Sequence, residues 1–97
     1  MVIISKSILR SFGSRYPDAT VALNQWYAMA RDADWSSLND VRKTFNSVDY
    51  VGNDHFVFNI RGNRYRLVVM IFFDIRTIYI RFIGTHDHYN NIDASTI

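Results

Sequence analysis

The spacing of the apolar residues changes once along this chain, near residue 47, and that single change sets the fold class. Up to Phe45 the apolar positions recur every three to four residues, whereas beyond Ser47 they alternate. The first period lines one face of a helix and the second lines one face of a strand. Helices therefore come first and strands second, which predicts an α+β fold with N-terminal helices packed on one face of a small antiparallel sheet. With 97 residues, the chain has the length of one domain, expected over residues 1–97.

Local signals place the elements. Val2–Ile4 reads as a short strand, and Ser5 as the N-cap of a helix that runs through Ile8, Leu9 and Phe12 to about Tyr16. Pro17, the only proline, breaks that helix. From Asp18 to about Asp32, the residues Val21, Leu23, Trp26, Tyr27 and Ala30 form one apolar stripe. A short helical turn over 37–43 points Leu38, Val41 and Phe45 inward. Four strands follow as an antiparallel meander, at Val48–Val51, His55–Ile60, Arg64–Phe73 and Thr77–Ile83. A short helical turn after Thr85 completes the chain.

Gly62-Asn63 reads as a two-residue hairpin loop, since both residue types tolerate positive φ. Closing it pairs Ile60 with Tyr65, Asn59 with Arg66 and Phe58 with Leu67. Phe56, Phe58, Ile60, Tyr65, Leu67 and Val69 then share the core face, and Asn59, Arg61, Arg64 and Arg66 share the other. A second two-residue turn at Ile75-Arg76 pairs Met70 with Arg81 and Arg66 with Thr85, adding Arg81 to that face; one more loop residue would turn it inward. The helices cover one side of the sheet, so the other is expected to be open, concave and basic.

Charge supports that picture. Nine of the eleven basic residues are Arg, and all nine acids are Asp. Residues 58–83 carry five Arg against one Asp, while residues 1–57 are balanced. Arginine binds phosphate or carboxylate through a planar fork, so an arginine cluster suits localised anion recognition. The absence of cysteine excludes a disulfide framework, a thiolate zinc site and a cysteine nucleophile. MVIISKSILR carries a charge at Lys6 and does not read as an export signal, and the longest apolar run, Leu67–Phe73, is too short for a bilayer span. A soluble cytoplasmic protein without membrane association is expected.

Two constellations carry possible chemistry. Arg64, Arg66 and Arg81 read either as a phosphate clamp or as a solvated, charged sheet face. His86 and Tyr89, three apart on a helical turn, read either as proton carriers or as part of a capped C-terminal turn. Arg61 at a hairpin end and Lys43 on a charged helical face have bland readings, although each is within reach of a phosphate. Tyr79, on the outward face, can stack on a base or pack on a partner protein. His55 reads as an exposed strand end. His86 and His88 with Asp87 make only a weak metal pattern. No phosphate loop, nucleophile elbow or coenzyme motif is present, and neither metal nor cofactor is expected.

The stretch Val57-Phe58-Asn59-Ile60-Arg61-Gly62-Asn63-Arg64-Tyr65-Arg66-Leu67, followed by Tyr79-Ile80-Arg81 and Thr85-His86-Asp87-His88-Tyr89, resembles the HigB toxins of bacterial toxin–antitoxin pairs, within the wider RelE/ParE-like group. The resemblance covers nearly the whole chain. It implies a type II toxin that acts as a metal-independent endoribonuclease, an mRNA interferase, cleaving mRNA in the translating ribosome by attack of the 2′-hydroxyl on the adjacent phosphate. It further implies a helix-turn-helix antitoxin of the HigA kind, through which alone the toxin meets operator DNA. Carried onto this chain, Arg66 and Arg81 stabilise the phosphate, His86 and Tyr89 transfer protons, and Asn59, Arg61, Arg64, Lys43 and Tyr79 contact RNA. The alternative is a non-enzymatic toxin of the same fold that binds a protein such as DNA gyrase.

Overall fold

A computed structural model describes residues 1–97. In chain order the elements are β1 (Val2–Ile4), α1 (Lys6–Arg15), a 3-10 turn (Pro17–Ala19), α2 (Thr20–Asp32), α3 (Leu38–Thr44), β2 (Val48–Gly52), β3 (His55–Ile60), β4 (Tyr65–Phe72), β5 (Thr77–Thr85) and α4 (His86–Asn90). The fold is α+β, as expected. Strands β2 to β5 form the antiparallel meander, in the sheet order β1-β5-β4-β3-β2. The sheet is mixed, however, because β1 pairs parallel with β5 at the far edge. A parallel neighbour requires a long crossover, and the helical first half supplies it.

The main core lies between the helices and one face of the sheet. Leu9, Leu23, Trp26, Ala30, Trp35 and Val41 pack there against Phe56, Phe58, Ile60, Tyr65, Leu67 and Val69, the six residues predicted for the core face. Leu38 and Phe45 pack at its margin. Two helical expectations fail. Val21 is 68% exposed, because its place on α2 lies outside the arc that meets the sheet. Ser5 occupies the N-cap position but has left-handed backbone (φ 73°) and makes no side-chain cap.

The β3–β4 hairpin has the predicted register, with Ile60 opposite Tyr65, Asn59 opposite Arg66 and Phe58 opposite Leu67. Its left-handed residues are nevertheless Arg61 and Gly62, not Gly62 and Asn63. The β4–β5 turn departs further from expectation. Phe72 pairs with Thr77, Met70 with Tyr79 and Arg66 with Gly84, so the loop spans residues 73–76 and is not a two-residue turn. A bulge between Val68 and Val69 leaves Arg81 opposite no residue. A bulge inserts one residue into a strand and resets its alternation, which local periodicity does not reveal.

The second face is not left open. Beyond α4 the chain crosses it, and Ala94 packs on Val57 and Val68 with Phe82, Tyr89, Ile92 and Ile97 around it. The Ile97 main-chain oxygen accepts from Arg81 Nε at 3.1 Å and lies 2.8 Å from His55 Nε2. His55, expected at an exposed strand end, is therefore only 4% exposed. The cause is the apolar patch of Val57, Val68 and Phe82, which the C-terminal segment removes from water. No helix is long and apolar enough to cross a membrane.

Candidate active site

The end of the sheet nearest the β3–β4 turn gathers side chains from four places in the sequence. Helix α4 begins there with a reciprocal cap. The Thr85 hydroxyl accepts from the His88 amide at 3.3 Å, and His88 Nδ1 accepts from the Thr85 amide at 3.5 Å. His88 is thus engaged by its own helix, and His86 turns away from it toward β4. Gly84 lets the helix sit this close, since a Cβ at that position would lie 2.5 Å from Phe82 Cζ and 3.0 Å from His88 Cβ.

His86 Nε2 lies 2.6 Å from Arg66 Nη2. A guanidinium has donors and no acceptor, so in a hydrogen bond between these atoms Nη2 donates and Nε2 accepts. Arg66 is held from the other side as well, because its Nη1 donates to the main-chain oxygens of Asn63 at 3.2 Å and Tyr65 at 3.4 Å. Asn59, directly across the strand pair from Arg66, donates from Nδ2 to Asn63 Oδ1 at 3.3 Å. A cation and a proton acceptor thus meet on a braced hairpin.

Beside this pair an open groove of about 710 Å³ runs between the helical layer and the sheet end, lined by Tyr16, Asp18, Arg61, Arg64, Tyr65, Thr85, His86 and Asp87. Arg61 and Arg64 were expected on the same face as Arg66, yet both turn toward Asp18. Arg61 Nη1 lies 2.7 Å and Arg64 Nη1 3.6 Å from Asp18 Oδ2. The reason is that they belong to the turn and not to the strands, and the left-handed backbone at Arg61 (φ 52°) redirects them. The Tyr65 hydroxyl donates to both Asp18 oxygens, at 2.6 and 2.7 Å. This hydrogen bond, aided by Arg61 and Arg64 against a smaller effect of burial, holds the Asp18 carboxyl below the usual range. The same bond raises the Tyr65 phenol.

The other predicted residues lie elsewhere. Arg81 is exposed, with its Nε donating to the Ile97 main-chain oxygen. Tyr89 is half-buried and packs on the small apolar cluster of Val57, Val68 and Ala94. Tyr79, opposite Met70, packs edge-on against Phe72 with ring centroids 5.7 Å apart, far along β4 from Arg66. Lys43 stands on α3 with Asp40 at 4.0 Å and does not line the groove. Sequence reasoning missed Asp18, Tyr16 and Tyr65 as groove residues. Tyr65 was correctly placed in the core, but only its hydroxyl reaches the groove; Asp18 lies 43 residues from Arg61, and no local pattern links them.

Comparison with known proteins shows which family the chain resembles. The family described as HigB_toxin, RelE-like toxic component of a toxin-antitoxin system, matches residues 19–92. The mRNA interferase toxin HigB of Escherichia coli K12 is 32% identical over 97 residues, covering 97% of this chain and 92% of that protein. The mRNA interferase HigB of Shigella flexneri shows the same identity and coverage. The mRNA interferase HigB of Escherichia coli O6:H1 is 27% identical over 94 residues, covering 95% and 91% of the two chains. A full-length likeness of this kind, on a mixed sheet capped by helices with an arginine–histidine pair at its end, means that the chain belongs to the HigB family of RelE-like toxic components of toxin–antitoxin systems.

Proposed function

We propose that this toxin is an endoribonuclease that cleaves mRNA and so arrests translation. The observation that carries the reading is the 2.6 Å contact between Arg66 Nη2 and His86 Nε2 at the edge of an arginine-lined groove. Phosphodiester cleavage needs a fixed cation for the phosphate and a proton carrier beside it. A phosphate that takes the Arg66 fork releases the Nε2 lone pair, which then faces the substrate as a base. The 2′-hydroxyl loses its proton to that base as its oxygen bonds to phosphorus. The bond from phosphorus to the 5′-oxygen breaks, and this oxygen takes up the proton that Nε2 received, which returns His86 to its starting state. The products are a 2′,3′-cyclic phosphate and a 5′-hydroxyl, and the sequence of steps uses side chains and the RNA alone.

Arg81 and Tyr89 belong to the same proposal, as a second phosphate ligand and a second proton carrier. Arg81 is exposed and only its Nε donates to Ile97, and Tyr89 is half-buried against Val57, Val68 and Ala94. Asn59 steadies the hairpin, Arg61 and Arg64 meet neighbouring phosphates, and Lys43 and Tyr79 touch RNA beyond the groove. The substrate is message on the translating ribosome in the cytoplasm. The antitoxin is a helix-turn-helix protein of the HigA kind, which also carries the toxin to operator DNA.

The test is cleavage of a defined mRNA in a translating extract. Arg66→Ala and His86→Ala are each expected to lose about 10²–10⁴-fold in rate while melting cooperatively like the parent protein. Intact message together with inhibited gyrase would overturn the nuclease reading and favour a toxin that works by binding a protein.

A further inference from the structure

Asp18 stands in the groove as a carboxylate where RNA phosphates are expected, and its surroundings show why. Its Oδ2 is 2.7 Å from Arg61 Nη1 and 3.6 Å from Arg64 Nη1. Its two oxygens are fixed from below by the Tyr65 hydroxyl, whose ring is 5% exposed and wedged edge-on against Phe12 and Tyr16 at 5.3 and 5.8 Å. The two arginine side chains are 45% and 65% exposed, and no other side chain or carbonyl bonds either guanidinium. Without Asp18 both would sample many rotamers, because arginine has one of the largest side-chain entropies. Each guanidinium has five N–H donors; Asp18 takes a hydrogen bond from one donor of Arg61 and pairs with Arg64 by charge at 3.6 Å, and both arginines line the groove with donors to spare.

We propose that Asp18 is a positioning residue for RNA binding, acting through Arg61 and Arg64. By holding both guanidinium groups on the lip of the groove it removes the entropic cost of ordering them when the phosphates flanking the cleaved one arrive. The inference rests on the groove being the RNA site. It makes a prediction opposite in sign to plain electrostatics, in which removing a carboxylate from an anion-binding groove tightens binding.

Asp18→Asn distinguishes the two. The amide keeps an oxygen for the Tyr65 hydroxyl and the side-chain volume, but presents a donor or a neutral oxygen to Arg61. Steady-state cleavage of message on programmed ribosomes is measured for the wild type, Asp18→Asn, Arg61→Ala and the double variant. Freeing one or two arginines is expected to raise KM about fivefold to tenfold, with kcat within about twofold of wild type, because Arg66 and His86 are untouched. The double variant is expected to show a KM above that of either single variant but below the product of their two effects, since Asp18→Asn still frees Arg64 when Arg61 is gone, whereas the Asp18–Arg61 contact is lost only once. An unchanged or lowered KM in Asp18→Asn overturns the proposal, as does a fall in kcat at constant KM, which marks general damage, or full additivity in the double variant. A wild-type protein that cleaves no message fails the proposed function instead, and is separately recognised by the absence of any rate to compare.

Discussion

Replacing Gly84 by Ala tests how the active-site helix is seated. An alanine Cβ there would lie 2.5 and 3.1 Å from the outer ring atoms of Phe82 and 3.0 Å from His88 Cβ. Phe82 is half-buried against Val57, Val68 and Ala94, so a swing of its ring gives up part of that packing, and His88 Cβ moves only with the backbone of α4. Overpacking of this kind costs about 1–3 kcal/mol, and the lower chain entropy of alanine in the unfolded state returns about 0.4–1 kcal/mol. The net loss is then about 1.5 kcal/mol, or roughly 6–12 °C in Tm at 4–8 °C per kcal/mol for a domain of this size. The displacement also acts on function, since His86 lies two residues along from Gly84 and its contact with Arg66 is set by where α4 begins. Thermal melting followed by circular dichroism measures the first effect, and message cleavage by the folded variant at 20 °C measures the second. A Tm equal to or above that of the parent, with cleavage intact, would show that α4 does not depend on the space above Gly84.

Three further outcomes follow from the structure. Leu67→Ala, at a fully buried core position, is expected to cost about 2–5 kcal/mol, read as a lower urea midpoint at unchanged slope. His55→Ala removes both ring contacts, to the main-chain oxygens of Asn53 at 2.6 Å and Ile97 at 2.8 Å; a loss of about 1–3 kcal/mol and faster amide exchange over 94–97 are expected, and unchanged exchange would show that His55 does not anchor the C-terminal segment. The Asp18–Tyr65 bond stabilises the fold between two pH limits. Asp18 is lowered from 3.8, so its contribution is complete above that value and is lost as pH falls through the lower folded value; Tyr65 is raised from 10.0, so its contribution is complete below that value and is lost as pH rises through the higher folded one. Tm measured across pH should therefore converge for the wild type and Tyr65→Phe at both extremes and differ most between them.

Read from its residues alone, this chain already determines its class and much of its sheet. The switch from helical to alternating period orders helices before strands, and the β3–β4 pairing of Ile60 with Tyr65 follows from a short loop plus the alternation on either side. Both are local properties, because a residue's face in a regular element depends only on its neighbours along the chain. His86 and Arg66 were also legible as chemistry, through residue type and the resemblance to HigB toxins, though not their direct contact. Tertiary structure alone decided where the arginines point. Arg61 and Arg64 leave the strand face for Asp18, a partner in the turn before α2 that lies 43 residues from Arg61 along the chain, and a bulge carries Arg81 to the C-terminal segment. That segment covers a face the periodicity had left open, because Val57, Val68 and Phe82 form an apolar patch only after the strands are paired. Such contacts join residues far apart in sequence, and they are selected by the total burial and charge pairing of the folded chain, which no local period records.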